Sequence, residues 1–137
     1  MKRLKVMIVD DDTTTLEVAG ALLEQRGHEV LARSSAIGTT MAILREEPEV
    51  VVLDVHMPGV SGDRLAELVA PRKGKKPPII ILHSGSERSE VERLAERCGA
   101  VGVIEKTGDA FEFIRQFERL LAQQRSIRRE SPGPRSR

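Results

Sequence analysis

Five short apolar runs constrain this chain more than any other feature: Val6 to Val9, Glu29 to Ala32, Val50 to Leu53, Ile79 to Leu82 and Val101 to Ile104. Each is too brief for a helix and rich in β-branched residues, so each reads as a strand. The first, third and fourth are apolar at every position, the pattern of parallel strands covered by helices on both faces. The second is more polar, which suits an edge. Between the runs the apolar period becomes helical: Leu16, Ala19, Leu23; then Ile37, Thr40, Met41, Leu44; then Leu65, Leu68, Val69; then Val91, Leu94, Ala95, Cys98; and last Phe111, Ile114, Phe117, Leu121. These sets are expected to face the core. Gly27 and Gly99 stand just past two of them, where a left-handed residue closes a helix. Thr14 and Glu17 have capping-box spacing at the start of the first. Five strand–helix alternations predict an open α/β sheet with right-handed crossovers and a ligand site at the carboxyl ends of its strands.

At 137 residues the chain has room for one core and not for two. With three Phe and no Trp or Tyr that core is aliphatic, and no platform for stacking bases is evident. The net charge of +1 hides an asymmetry, since the stretch from Ala122 onward holds five Arg against one Glu. Residues 1–123 are expected to form the folded unit. Residues 124–137, with Ser, Pro, Gly and Arg and no apolar period, are expected to be a disordered basic tail or the start of a linker. The single cysteine, Cys98, excludes an internal disulfide and suits a reducing compartment. Its apolar phase places it inside a helix–sheet interface. No run is long enough to cross a bilayer, and no signal peptide or helix-turn-helix is apparent, so a cytoplasmic protein without membrane or direct DNA binding is expected.

Four strand ends deliver polar groups to one edge of this sheet: Asp10, Asp11 and Asp12 after the first strand, Asp54 after the third, Ser84 after the fourth and Lys106 after the fifth. Any one of them alone is an ordinary solvated strand end; their convergence is not. Crowded carboxylates repel and raise one another's proton affinity unless a cation is bound. Mg²⁺ suits such a pocket, because it takes one or two carboxylates, keeps water and recruits phosphate oxygens. A carboxylate beside it can attack a phosphoryl donor, with Lys106 and the Ser84 hydroxyl answering the phosphate oxygens.

On these residues the chain resembles the receiver domains of two-component response regulators, those of chemotaxis regulators included. The likeness runs from IVDDD at Ile8 to Asp12, through LDVHMPGVSG at Leu53 to Gly62, to LHSG at Leu82 to Gly85 and EK at Glu105 and Lys106. It covers roughly the first 120 residues. The resemblance implies a flavodoxin-like, three-layer α/β/α fold with a doubly wound five-stranded parallel sheet in order 2-1-3-4-5. It implies Asp54 as phosphoacceptor, with Ser84 and Lys106 at the hydroxyl and lysine positions. Mg²⁺ would be held by Asp10, Asp11, Asp54 and the backbone carbonyl of His56. His56 and Ser86 fall where side chains tune phosphoryl lifetime, and Pro58 and Gly59 shape the loop that carries His56. The implied donor is a sensor histidine kinase or a histidine phosphotransfer protein. The implied output or dimer surface is Glu87 to Cys98, Val101 to Ile104 and Asp109 to Ala122. The role is that of a signalling phosphoacceptor in a phosphorelay, not of an enzyme.

Two positions depart from the family's pattern. Thr107 stands where a proline usually follows the lysine in a cis bond, and a cis bond to a non-proline residue costs roughly 2.5–4 kcal/mol, so trans is expected. Val103 stands where many receivers carry a Tyr or Phe that swings inward on activation. Those departures motivate an alternative, a receiver-like interaction adaptor independent of phosphorylation. A second alternative reads Asp10 to Thr14 as the D-x-D-x-T motif of haloacid-dehalogenase-like phosphatases, with Asp10 as nucleophile and Asp12 as acid/base. His83 is read as a strand-end residue and His28 as a surface one.

Overall fold

The computed structural model describes residues 2–57, 74, 76–85 and 88–130. In chain order these form β1 (Lys5–Val9), α1 (Thr13–Gln25), β2 (Glu29–Arg33), α2 (Thr39–Glu46), β3 (Val50–Asp54), β4 (Ile79–Ser84), α3 (Arg88–Cys98), β5 (Gly102–Glu105) and α4 (Ala110–Glu130). The strands make one sheet in the order β2-β1-β3-β4-β5 with every pairing parallel, the doubly wound topology expected. The apolar set Leu65, Leu68, Val69, the turn at Pro58 and Gly59, and Ser86 lie outside the described residues.

Alternation along the strands divides the core into two layers. Val6, Ile8, Val50, Val52, Ile81 and Ile104 pack against Leu16, Ala19 and Leu23 of α1 and against Phe113, Ile114, Phe117 and Leu121 of α4. The intervening residues, Met7, Val9, Val51, Leu53, Ile80 and Leu82, pack against Ala42 and Ile43 of α2 and Val91, Ala95 and Cys98 of α3. Carried one step past the apolar runs, the same parity sends Asp10, Asp54 and His83 toward the α1/α4 layer and Ser84 toward the α2/α3 layer. Gly102 lets α4 close on β5, because a Cβ there would stand 2.5 Å from Leu120 Cδ2.

Several expectations are corrected by local chemistry. Asp12, not Thr14, caps α1: its carboxylate accepts from Thr14 N at 3.0 Å and from the Thr15 hydroxyl at 2.9 Å. The buried face of α2 is Thr39, Ala42 and Ile43, while Ile37 and Met41 are 84% and 65% exposed. Thr39 sets that phase, since its hydroxyl accepts from Arg33 Nε at 3.2 Å and donates to Ser35 O at 3.1 Å. In α4 the cap is Asp109, which takes the amide of Phe111 at 3.0 Å. Phe113 turns inward as a result, and Phe111 is left 65% exposed. The helix also continues through Gln124 to Glu130, past the boundary expected at 123, because no Gly or Pro interrupts it before Pro132. His28 is buried: its Nδ1 accepts from Leu4 N at 3.1 Å and its ring meets Phe117 edge-on. Gly27 and Gly99 do adopt the left-handed conformation anticipated for them.

His83 is the most unusual core residue, a buried imidazole against the Phe113 ring. Burial, aided by the charge of Lys106 and opposed by that of Asp10, lowers its pKa from 6.5 to about 4. The folded chain therefore keeps His83 neutral where the unfolded chain protonates it. Stability from this residue is complete above about pH 6.5 and is lost as pH falls toward 4, by about 3 kcal/mol in all. Urea denaturation is expected to show that decline, and His83→Gln to flatten it. In the same assay Phe117→Ala should cost about 3–5 kcal/mol through the cavity it leaves. Phe111→Ala should stay within about 0.5 kcal/mol, as for a surface substitution.

Candidate functional site

The strand ladder extends beyond the strands and holds the polar residues in place. Asp10 N donates to Arg33 O at 3.0 Å, Val55 N to His83 O at 3.4 Å, and Lys106 N to Ser84 O at 2.9 Å. Each post-strand residue is thereby anchored to the neighbouring strand, and the site inherits the rigidity of the sheet.

Asp10 and Asp54 are fully desolvated, at 0% and 2% exposure, and Asp11 is exposed beside them. Carboxylate oxygens of all three lie within 4.8 Å of one another. Lys106 Nζ bridges the buried pair, 2.9 Å from Asp10 Oδ2 and 3.5 Å from Asp54 Oδ2. Asp10 Oδ1 accepts the amide of Asp12 at 2.9 Å, and Asp54 Oδ1 accepts the amide of His56 at 3.0 Å. Asp10 Oδ2 is buried with no aligned hydrogen bond and meets Lys106 as an ion pair.

Among the described residues the charges do not balance, because one ammonium faces three carboxylates. Burial raises the pKa of Asp54, and the charges of Asp10 and Asp11 add to it against the pull of the His56 amide and Lys106. Burial works against the Lys106 ammonium, yet Asp10 and Asp54 outweigh it and raise its pKa. A second positive charge would relieve the surplus. The donor set, all hard oxygen with one oxygen lacking an aligned hydrogen bond, fits a hard divalent cation.

Of the residues singled out from sequence, Asp10, Asp11, Asp54 and Lys106 come together here. Ser84 sits on the other parity and its hydroxyl lies 3.3 Å from His56 Nε2. Val103 is half-buried on β5. No cis bond occurs among the described residues, so Lys106–Thr107 is trans as expected. Asp12 is occupied as a helix cap, and the Thr15 hydroxyl lowers its pKa, which unsuits it for the acid/base role of the phosphatase reading. Sequence reasoning missed His83, whose Nδ1 stands 3.9 Å from Asp10 Oδ2. Its position two residues after buried Ile81 was the available signal.

Residues 6–118 match the family model of the response regulator receiver domain. Protein PilH of Pseudomonas aeruginosa is 29% identical over 120 residues, covering 86% of this chain and 98% of its own. A putative two-component response regulator of Arabidopsis thaliana, ARR21, is 27% identical over 127 residues, or 90% of this chain, which spans only 20% of that protein's length. The structure of the chemotaxis response regulator CheY4 of Vibrio cholerae superposes with a TM-score of 0.76 at 18% identity, covering 87% of this chain and 99% of that one. No helix among the described residues is long and apolar enough to cross a membrane. Fold, spacing of the acidic residues and family match agree, and the chain belongs to the response regulator receiver domains of two-component systems.

Proposed function

We propose that Asp54 accepts a phosphoryl group from a phosphohistidine, with Mg²⁺ held by Asp10, Asp11, Asp54 and the backbone carbonyl of His56. The observation that carries this reading is the trio of carboxylates, two buried and one exposed, that meets a single lysine among the described residues. A bound Mg²⁺ supplies the missing positive charge and a ligand position for a phosphoryl oxygen. An Asp54 oxygen attacks phosphorus, the P–N bond to the donor imidazole breaks, and the imidazole leaves with its electron pair and takes up a proton. Lys106, already 3.5 Å from Asp54 Oδ2, neutralises the charge on the new acyl phosphate. The Ser84 hydroxyl offers a further donor to the phosphoryl oxygens. The chain acts as a signalling phosphoacceptor and not as an enzyme on a separate substrate.

A groove of about 330 Å³ runs from this site between α1 and the loop after β5, with Thr14, Thr15, Val18, Leu22, Thr107 and Asp109 along it. It offers a mixed apolar and polar surface beside Asp54, suited to the helices of a sensor histidine kinase or phosphotransfer protein. Output through α3, β5 and α4, to a partner or a second copy, is the matching expectation on the far side. Such a donor works in the cytoplasm, where we place the chain.

Incubation with acetyl phosphate and Mg²⁺ is expected to add one phosphoryl group, mapped by mass spectrometry to Asp54 and absent from Asp54→Asn. Label on Asp10 would overturn the assignment, and no label under any donor would leave the adaptor reading in its place. Asp54→Asn carries a second expectation. Because its folded pKa is raised, Asp54 contributes stability that is complete below the ordinary carboxylate range and is lost as pH rises past its folded value. Its charge is a cost at neutral pH, so Asp54→Asn should raise the metal-free Tm. Mg²⁺ should narrow the gap. Calorimetry with and without the ion measures both.

A further inference from the structure

Ser84 and His56 make a contact that phosphoryl transfer does not require. The Ser84 hydroxyl, on a residue 1% exposed, lies 3.3 Å from Nε2 of the exposed His56 ring. The backbone around Ser84 is pinned on both sides, its own carbonyl by Lys106 N at 2.9 Å and that of His83 by Val55 N at 3.4 Å. What freedom remains is rotation of the side chain between staggered wells. His56 is tied differently, since its amide holds Asp54 Oδ1 at 3.0 Å while its ring reaches Ser84. One residue therefore touches the phosphoacceptor through its backbone and the hydroxyl through its side chain. Val103, by contrast, is a stiff β-branched residue paired with Leu82 and packed on the core, with no ring to follow a movement of Ser84.

We propose that His56 is a positioning residue that holds the Ser84 hydroxyl before phosphorylation and reports its departure afterwards. The proposal rests on the reading of Asp54 as phosphoacceptor. Whichever of Ser84 and His56 supplies the hydrogen between them, the Ser84 hydroxyl has one hydrogen of its own to give, and turning it to a new acceptor moves the oxygen away from His56. A phosphoryl group on Asp54 brings anionic oxygens, and a charge-assisted bond to one of them displaces a 3.3 Å contact to an imidazole. Ser84 turns by side-chain rotation, and the exposed His56 ring loses this partner and moves at the surface. The signal leaves on the α2/α3 side of the sheet through an imidazole, with β5 unmoved.

The test is NMR of the full chain labelled with ¹⁵N in its histidine rings and amides, titrated with Mg²⁺ and beryllofluoride as phosphoryl mimic. The expected result is a shift of the Asp54 to His56 amides together with a shift of the His56 Nε2 resonance. In Ser84→Ala, with no mimic present, the Nε2 resonance should already stand away from its wild-type position. If the wild-type amides respond and Nε2 does not, the latch is wrong and the phosphoacceptor reading stands. An equal Nε2 shift in Ser84→Ala would also overturn the latch, since the ring would then move without the hydroxyl. Silent amides in the wild type would remove the phosphoacceptor reading, and the latch with it. The wild-type titration decides the matter even if Ser84→Ala fails to fold.

Discussion

Repulsion among Asp10, Asp11 and Asp54 is the constraint on which the carboxyl edge of the sheet depends. Desolvated carboxylates do not gather unaided, and here the backbone forces them to, because parallel neighbours β1 and β3 end side by side and the ladder continues one bond past each strand. Lys106 is delivered by β5, two strands from β3, and among the described residues it is the cation that reaches both buried acids. The folding energy of two apolar layers is what makes the conflict tolerable. The conflict in turn makes the edge receptive to a cation and to an anion behind it.

Strands and topology were legible in the sequence because β-branched runs of this length have few other homes, and because parity along Val50 to Leu53 or Ile79 to Leu82 leaves both faces apolar. The convergence of Asp10, Asp54 and Lys106 followed from topology alone. Helix phase was harder to read. Ile37, Met41 and Leu44 have as good an apolar spacing as Ala42 and Ile43, and the decision was made by a polar residue, Thr39, through hydrogen bonds to Arg33 and Ser35 that no hydropathy pattern contains. Phe111 and Phe113 present the same ambiguity, resolved by the Asp109 cap.

The histidines were read least well. His28 and His83 are polar by composition and buried in fact, each against a phenylalanine of α4. Imidazole is flat and can be neutral, so it fills an aromatic gap in a core that has only two phenylalanines, Phe113 and Phe117. His83 does so directly beneath Asp10, which couples the packing of α4 to the acid edge of the sheet. The contact between His56 and Ser84 joins residues 28 positions apart, one just past β3 and the other at the end of β4, and spacing along a chain carries no trace of it.

The parity that sends Asp10, Asp54 and His83 to one side of the sheet and Ser84 to the other has an evolutionary consequence. Asp10 and Asp54 fall on the face that α1 and α4 cover, whereas Ser84 falls on the face that α2 and α3 cover. Substitutions that drift in one layer leave the other nearly untouched, since five strands of backbone hydrogen bonds stand between them. The two faces of one sheet can therefore be varied separately, each against the pair of helices that covers it.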